Sequence, residues 1–379
     1  MPKLNGAGPA KGSVTQPARV RELDLFRFVA ALAVVLYHYT YNRAVLDTGA
    51  AMYPVLERFT VHGYLGVDLF FMISGFVILW TARARRPSDF VISRITRLYP
   101  EFWISVILSA SVFAMFPLSA GQRITLPMVF ANLTMVPQLF RQPYVDNVYW
   151  TLFVELKFYL LLWLLSVAGQ MRRIEPWIFG WLAVATYCFA YGGPHVFRSL
   201  TLHPYGPFFI GGCLFFLVRS DRLTVARAAG LLLCLGLGVV SAVEGMEGFV
   251  QAADITSAAR IATGVIIVAC FASFLLIATR VTDSSIAHRL AFLGALTYPL
   301  YLLHNIAKAV MLSIGGELHP YAQLAIAGAF SLALASVMVL VIERRMRRPF
   351  TEFLTRRYRK LATLVAAGIA ERAARRNGL

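Results

Sequence analysis

The sequence predicts an all-α fold, a polytopic bundle of transmembrane helices with about ten spans and both termini cytoplasmic. Three observations predict it. Apolar runs of bilayer-crossing length recur from one end of the chain to the other. Charged residues are only 15% of the chain and hydrophobic ones 58%, whereas a soluble domain carries about 25% charged residues. Finally, 27 of the 36 Lys and Arg fall in segments on the same side as the N-terminus and six on the other, the asymmetry expected when basic loops stay in the cytoplasm. An odd number of spans would put the cluster RRMRRPFTEFLTRRYRK on the wrong side.

Taken in order, residues 1–22 read as a disordered cytoplasmic tail. They are rich in Gly, Pro and Ala and lack the apolar centre of a signal peptide. The membrane domain is expected over 23–343, with spans near 25–42, 64–80, 101–118, 148–168, 177–191, 205–218, 228–243, 260–279, 290–314 and 321–342. The loop 81–100 is short and strongly basic. The outer loop 119–147 contains LPMVFANLTMVPQLF, the length of one re-entrant or interfacial helix between Pro127 and Pro137. Residues 344–379 form a basic cytoplasmic tail suited to an anionic leaflet. The net charge of +17 therefore points to anionic membrane lipid and not to nucleic acid, because the basic residues lie between apolar runs. Cys188, Cys213, Cys234 and Cys270 all fall inside apolar runs without CxxC spacing, so neither a disulfide framework nor a metal site is expected.

Ionisable groups inside spans are costly and mark function. Arg27 and His38 are eleven residues apart, about 16 Å along a helix and only about 20° apart around it, so they share one stripe. Asp24 lies one turn before Arg27 as a possible partner. His38, Asp68, Glu155 and His304 are expected at similar depth in the outer half, with Asp68 or Glu155 orienting the His38 ring. Arg94 and Arg97, beside Tyr99-Pro100, join Arg27 as candidate anion-binding cations at the inner face. Ser74-Gly75 and Gly211-Gly212 read as close helix contacts.

Five stretches in order, RELDLFRFVAALAVVLYH, GVDLFFMISGF, FVISRITRLYPEFW, VYWTLFVELKFY and TYPLYLLHN, resemble the acyltransferase-3 family of bacterial inner-membrane enzymes. The resemblance runs from about Arg21 to about Pro349. It implies transfer of an acyl group, acetyl by default, from cytoplasmic acyl-coenzyme A to a hydroxyl of a surface polysaccharide, O-antigen or related glycan. Acyl-coenzyme A would be a co-substrate, with no permanently bound cofactor. Arg27 and His38 match the family's spaced pair, Arg94 and Arg97 its basic motif, and Trp150 and Glu155 its WxLxxE motif; Tyr298 and His304 lie in TYPLYLLHN. One departure is visible: Glu343 is followed by RRMRRPF, so Pro349 comes later than in the family's usual Glu-basic-Pro turn.

The expected mechanism places the donor phosphates on Arg27, Arg94 and Arg97 and the thioester beside His38. There His38 acts as general base or transient acyl carrier. The competing class is a proton-coupled transporter or flippase, which also uses buried Asp, Glu and His. The absence of an internal repeat and the basic inner mouth weigh against it.

Overall fold

The computed structural model describes residues 20–42, 52–118, 121–281, 289–314 and 318–376, which fold as helices with no strand among them. The expected N-terminal tail up to residue 19 lies outside the described residues. The long helices are α1 (Arg21–Tyr39), α2 (Gly66–Ala84), α3 (Pro87–Met115), then a short α4 (Leu126–Leu133), α5 (Trp150–Val167), α6 (Ile174–Tyr191), α7 (Gly206–Ser220), α8 (Val225–Glu244), α9 (Ser257–Ala278), α10 (Leu293–Ile314), α11 (Pro320–Met338) and α12 (Arg347–Arg376).

Each of the ten expected apolar segments is helical. Among the described residues six helical stretches are long and apolar enough to cross a membrane: Glu57–Ala84, Pro87–Met115, Asn147–Val167, Val225–Gly248, Ser257–Ala278 and Pro320–Ile342. Two further helices of sufficient length carry polar residues that lower their hydropathy. α1 contains Glu22, Asp24 and Arg27, and α10 contains His304, Asn305 and Lys308. These two helices pack against each other and hold the candidate site.

Close helix approach comes from small residues. A side chain at Gly75 would meet the Phe209 carbonyl, and one at Gly212 the Met72 carbonyl, so α2 and α7 cross nearly backbone to backbone. Gly66 sits in the same way against Ala30 of α1. This bears out the reading of Gly75 and Gly212 as packing positions. Buried Arg227, at the start of α8, donates two 2.8 Å hydrogen bonds to Glu175 of α6 and one of 3.1 Å to Asp221, pinning the ends of three helices.

The short α4 is capped by Thr125 and exposes Leu126 and Phe130. Tyr99 and Trp103 of α3 donate to the Thr134 and Leu133 carbonyls at its end, 3.1 and 2.9 Å away. Fully buried Asn132 staples the loop through Pro143 and Val145. At the other end of the chain, α11 passes through a π-helical stretch, Val339–Met346, into α12.

Candidate active site

α1 is one unbroken α-helix, so Arg27 and His38 do lie on one face about three turns apart. Two cavities extend along that face. The first, a mouth of about 400 Å³, is lined by Asp24, Arg27, Arg97, Glu101, Tyr298 and Arg347, among others. The second is deeper and smaller, about 90 Å³, and brings Arg27, Arg94, Arg97, Ser74, Glu155 and Tyr159 together. Arg27, Arg97 and Tyr298 line both and stand between them. Tyr298 is held in place by its hydroxyl, which donates to the Leu98 carbonyl at 3.2 Å.

Each cation has a local reason for its position. Arg27 pairs with Asp24 at 3.8 Å, a weak i,i+3 contact. Asp24 is buried, and Gly294 of α10 makes room for it: a Cβ at Gly294 would stand 2.7 Å from the Asp24 Cβ. The Arg94 guanidinium lies 5.9 Å from the Tyr159 ring centroid, a cation–π arrangement. Glu155 accepts a 2.5 Å hydrogen bond from Ser74. Ser74, read from sequence as a packing residue only, therefore also positions the carboxylate.

The histidines lie beyond the deep cavity. Tyr301 lines it, and the Tyr301 ring centroid is 6.0 Å from that of His304. The Tyr301 hydroxyl is fixed 2.8 Å from Thr151 and 3.1 Å from the Val148 carbonyl. His304 is fully buried; its Nε2 is 3.3 Å from Nδ1 of His38, with ring centroids 4.9 Å apart. Nδ1 of His304 is 2.8 Å from the Tyr301 carbonyl, and Nδ1 of His38 is 2.9 Å from the Val34 carbonyl.

A carbonyl only accepts, so both Nδ1 atoms carry the proton. His304 Nε2 then holds a lone pair facing the His38 Nδ1–H. Nε2 of His38 is left as a lone pair too, with no hydrogen-bond partner among the described residues.

Three expectations are corrected here. The side-chain partner of the His38 ring is His304, not a carboxylate. Glu155 stands among the arginines and not with the histidines. Asp68, in the first turn of α2, lines a separate void of about 20 Å³ with Tyr64, Trp150 and Tyr205. The Trp150 ring packs 5.2 Å from Tyr205 there. The reason is angular: residues at similar depth on different helices meet only if their faces converge, and depth alone does not set the face.

Sequence reading also missed a buried pair. Asn305, next to His304, donates 2.8 Å to Asp146, which caps the turn before α5 by accepting from the Val148 N–H. Burial pushes the Asp146 carboxyl up to about 6, against the opposing effect of those hydrogen bonds. Asn305 could have been flagged as a polar residue within an apolar helix; Asp146 gave no signal, since loop acids are ordinarily solvated.

A profile described as an acyltransferase domain, that of the acyltransferase-3 family, matches residues 20–342. The acyltransferase MdmB of Streptomyces mycarofaciens is 25% identical over 346 residues, 86% of this chain and 88% of that protein. The exopolysaccharide production protein ExoZ of Rhizobium meliloti (strain 1021) is 33% identical over 132 residues, 32% of this chain and 38% of its own length. The chain is thus aligned to little more than a third of ExoZ. No solved structure matches. With the profile spanning α1 to α11 and Arg27, His38, Arg94, Arg97 and His304 inside it, the chain belongs to the acyltransferase-3 family and is a membrane acyltransferase.

Proposed function

We propose that this protein transfers an acyl group, acetyl by default, from acyl-coenzyme A to a hydroxyl of a surface polysaccharide, O-antigen or related glycan. The observation that carries this reading is the pair of adjoining cavities, with arginines in the mouth and in the wall the two share, and a histidine pair one side chain beyond the deep end. The phosphates of the donor need cations, which Arg27 and Arg97 supply in the shared wall and Arg94 deeper in. Glu155 lines the same deep cavity as those cations and adds a carboxylate beside them. The roughly 16 Å between Arg27 and His38 is of the order of a pantetheine arm.

His38 Nε2 takes the proton of the acceptor hydroxyl as its oxygen attacks the thioester carbon. The carbon–sulfur bond breaks and the departing thiolate receives that proton, releasing coenzyme A and the ester. His304 accepts the His38 Nδ1–H bond and stabilises the imidazolium, the place a carboxylate takes in other dyads. In the alternative, covalent route the acyl group rests on Nε2 before reaching the sugar. Trapping with radiolabelled donor separates the two routes.

The setting is the bacterial inner membrane, with ten spans and both termini cytoplasmic. The resemblance of a segment to an exopolysaccharide production protein supports a glycan acceptor. Purified protein mixed with acetyl-coenzyme A and surface glycan should release free thiol, and full release by His38→Ala would overturn this role for the residue. Comparing surface glycans by mass spectrometry with and without the protein identifies the acceptor.

A further inference from the structure

We infer that Asp146 is a positioning residue for the histidine pair: it sets the rotation of α10 that turns His304 onto His38. The inference rests on the reaction proposed above, in which that pair does the chemistry. Asp146 acts through Asn305 and through the turn before α5.

One carboxylate oxygen makes both links. Asp146 Oδ1 accepts from the Asn305 side chain of α10 at 2.8 Å and from the Val148 N–H at 3.2 Å. The Val148 carbonyl in turn accepts from the Tyr301 hydroxyl at 3.1 Å. Tyr301 and Asn305 are four residues apart, about 400° along a helix, and so lie within about 40° of each other on one face of α10. That face is clamped at two points to the turn Asn147–Tyr149. His304 stands about 100° round from Asn305, on the side where its Nε2 meets His38. A two-point clamp on the adjacent face removes the freedom to rotate, and a working site needs its groups held to about 10–20°.

The anchor is itself fixed. The Tyr149 hydroxyl is 3.1 Å from Ser109 of α3, and the Val145 N–H donates to buried Asn132 at 3.1 Å. Asp146 is fully buried and Asn305 nearly so, so neither can exchange its partner for bulk water.

Geometry and charge make different predictions. The Asp146 carboxyl also feels Lys308, one turn beyond His304, so a role through charge is the rival. Asp146→Asn separates the two. Its amide oxygen accepts the same two hydrogen bonds, while its NH2 takes the place of Oδ2, which has no hydrogen-bond partner among the described residues.

The test measures thiol release from acetyl-coenzyme A with surface glycan, and coenzyme A affinity, on the full-length protein in nanodiscs. Asp146→Ala should lower saturated turnover about ten- to a hundredfold, as small misplacements in a site do. Coenzyme A affinity should stay unchanged, because Arg27, Arg94 and Arg97 lie on α1 and α3. Asn305→Ala breaks the same bond from the α10 side and should show the same split; it carries the test if Asp146→Ala does not fold. The double variant should be no worse than Asp146→Ala alone, since both remove one interaction. Asp146→Asn should keep most of the turnover. An Asp146→Asn protein as impaired as Asp146→Ala overturns the inference in favour of charge. Full turnover in both alanine variants, with His38→Ala inactive, overturns it and spares the proposed reaction. Coenzyme A affinity lost alongside turnover also overturns it, by showing a general loss of structure. No release by the wild type, or full release by His38→Ala, removes the proposed reaction and this inference with it.

Discussion

At the scale of single residues, the site divides into cations and histidines, and each group has a distinct expected phenotype. His38→Ala should lower turnover by about a hundredfold or more, the usual worth of a general base, and leave coenzyme A affinity intact. Arg27→Ala should do the reverse, raising the donor Kd with little effect on saturated turnover. Equal loss of binding in both variants would refute this division of labour. His304 needs a subtler test, because it touches His38 and, in the proposed reaction, not the reacting atoms. His304→Gln can still accept the His38 Nδ1–H through its amide oxygen, whereas His304→Ala cannot. The glutamine variant should therefore retain much more activity than the alanine variant, and the alanine variant's pH–rate profile should shift. An identical loss in the two would remove the proposed acceptor role.

At the scale of helices, glycines at two crossings govern different properties. Gly75→Ala drives a methyl group into the Phe209 carbonyl across the α2–α7 contact. It should destabilise the protein by about 1–3 kcal/mol, as overpacking does, seen as a lower unfolding temperature in detergent. Gly294→Ala pushes on Asp24 instead, whose carboxylate is near the Arg27 guanidinium. Its expected effect is a several-fold weaker donor affinity with a smaller change in melting temperature. A Gly294→Ala protein that melts early but binds donor normally would show that Asp24 does not position Arg27. Helix existence and the α1 stripe were legible in the sequence because both follow from the 3.6-residue period within one segment. Which face of α2 or α5 meets α1 was not, and so Asp68 and Glu155 were placed wrongly relative to His38.

For the whole molecule, the open quantity is topology. Among the described residues six stretches meet the length and hydropathy expected of a crossing, while the helices of Arg27 and of His304 carry the polar side chains of the site and read as less apolar. The proposed ten spans put both termini in the cytoplasm. Alkaline phosphatase fused after residue 379 should then be inactive in cells, and fused within the 119–147 loop it should be active. High activity at the C-terminus would overturn the ten-span topology with both ends inside.

The sequence by itself determined the helical membrane class, the family, and the shared face of Arg27 and His38, since composition, ordered motifs and helical phase are all local. Only the tertiary structure decided that His304 lies against His38 across 266 residues and that Glu155 sits with Arg94 and Arg97. Those outcomes depend on how helix faces rotate against one another. That rotation is set by backbone contacts such as Gly75 against Phe209 and Gly66 against Ala30, which a linear reading marks as close approaches without saying what they approach.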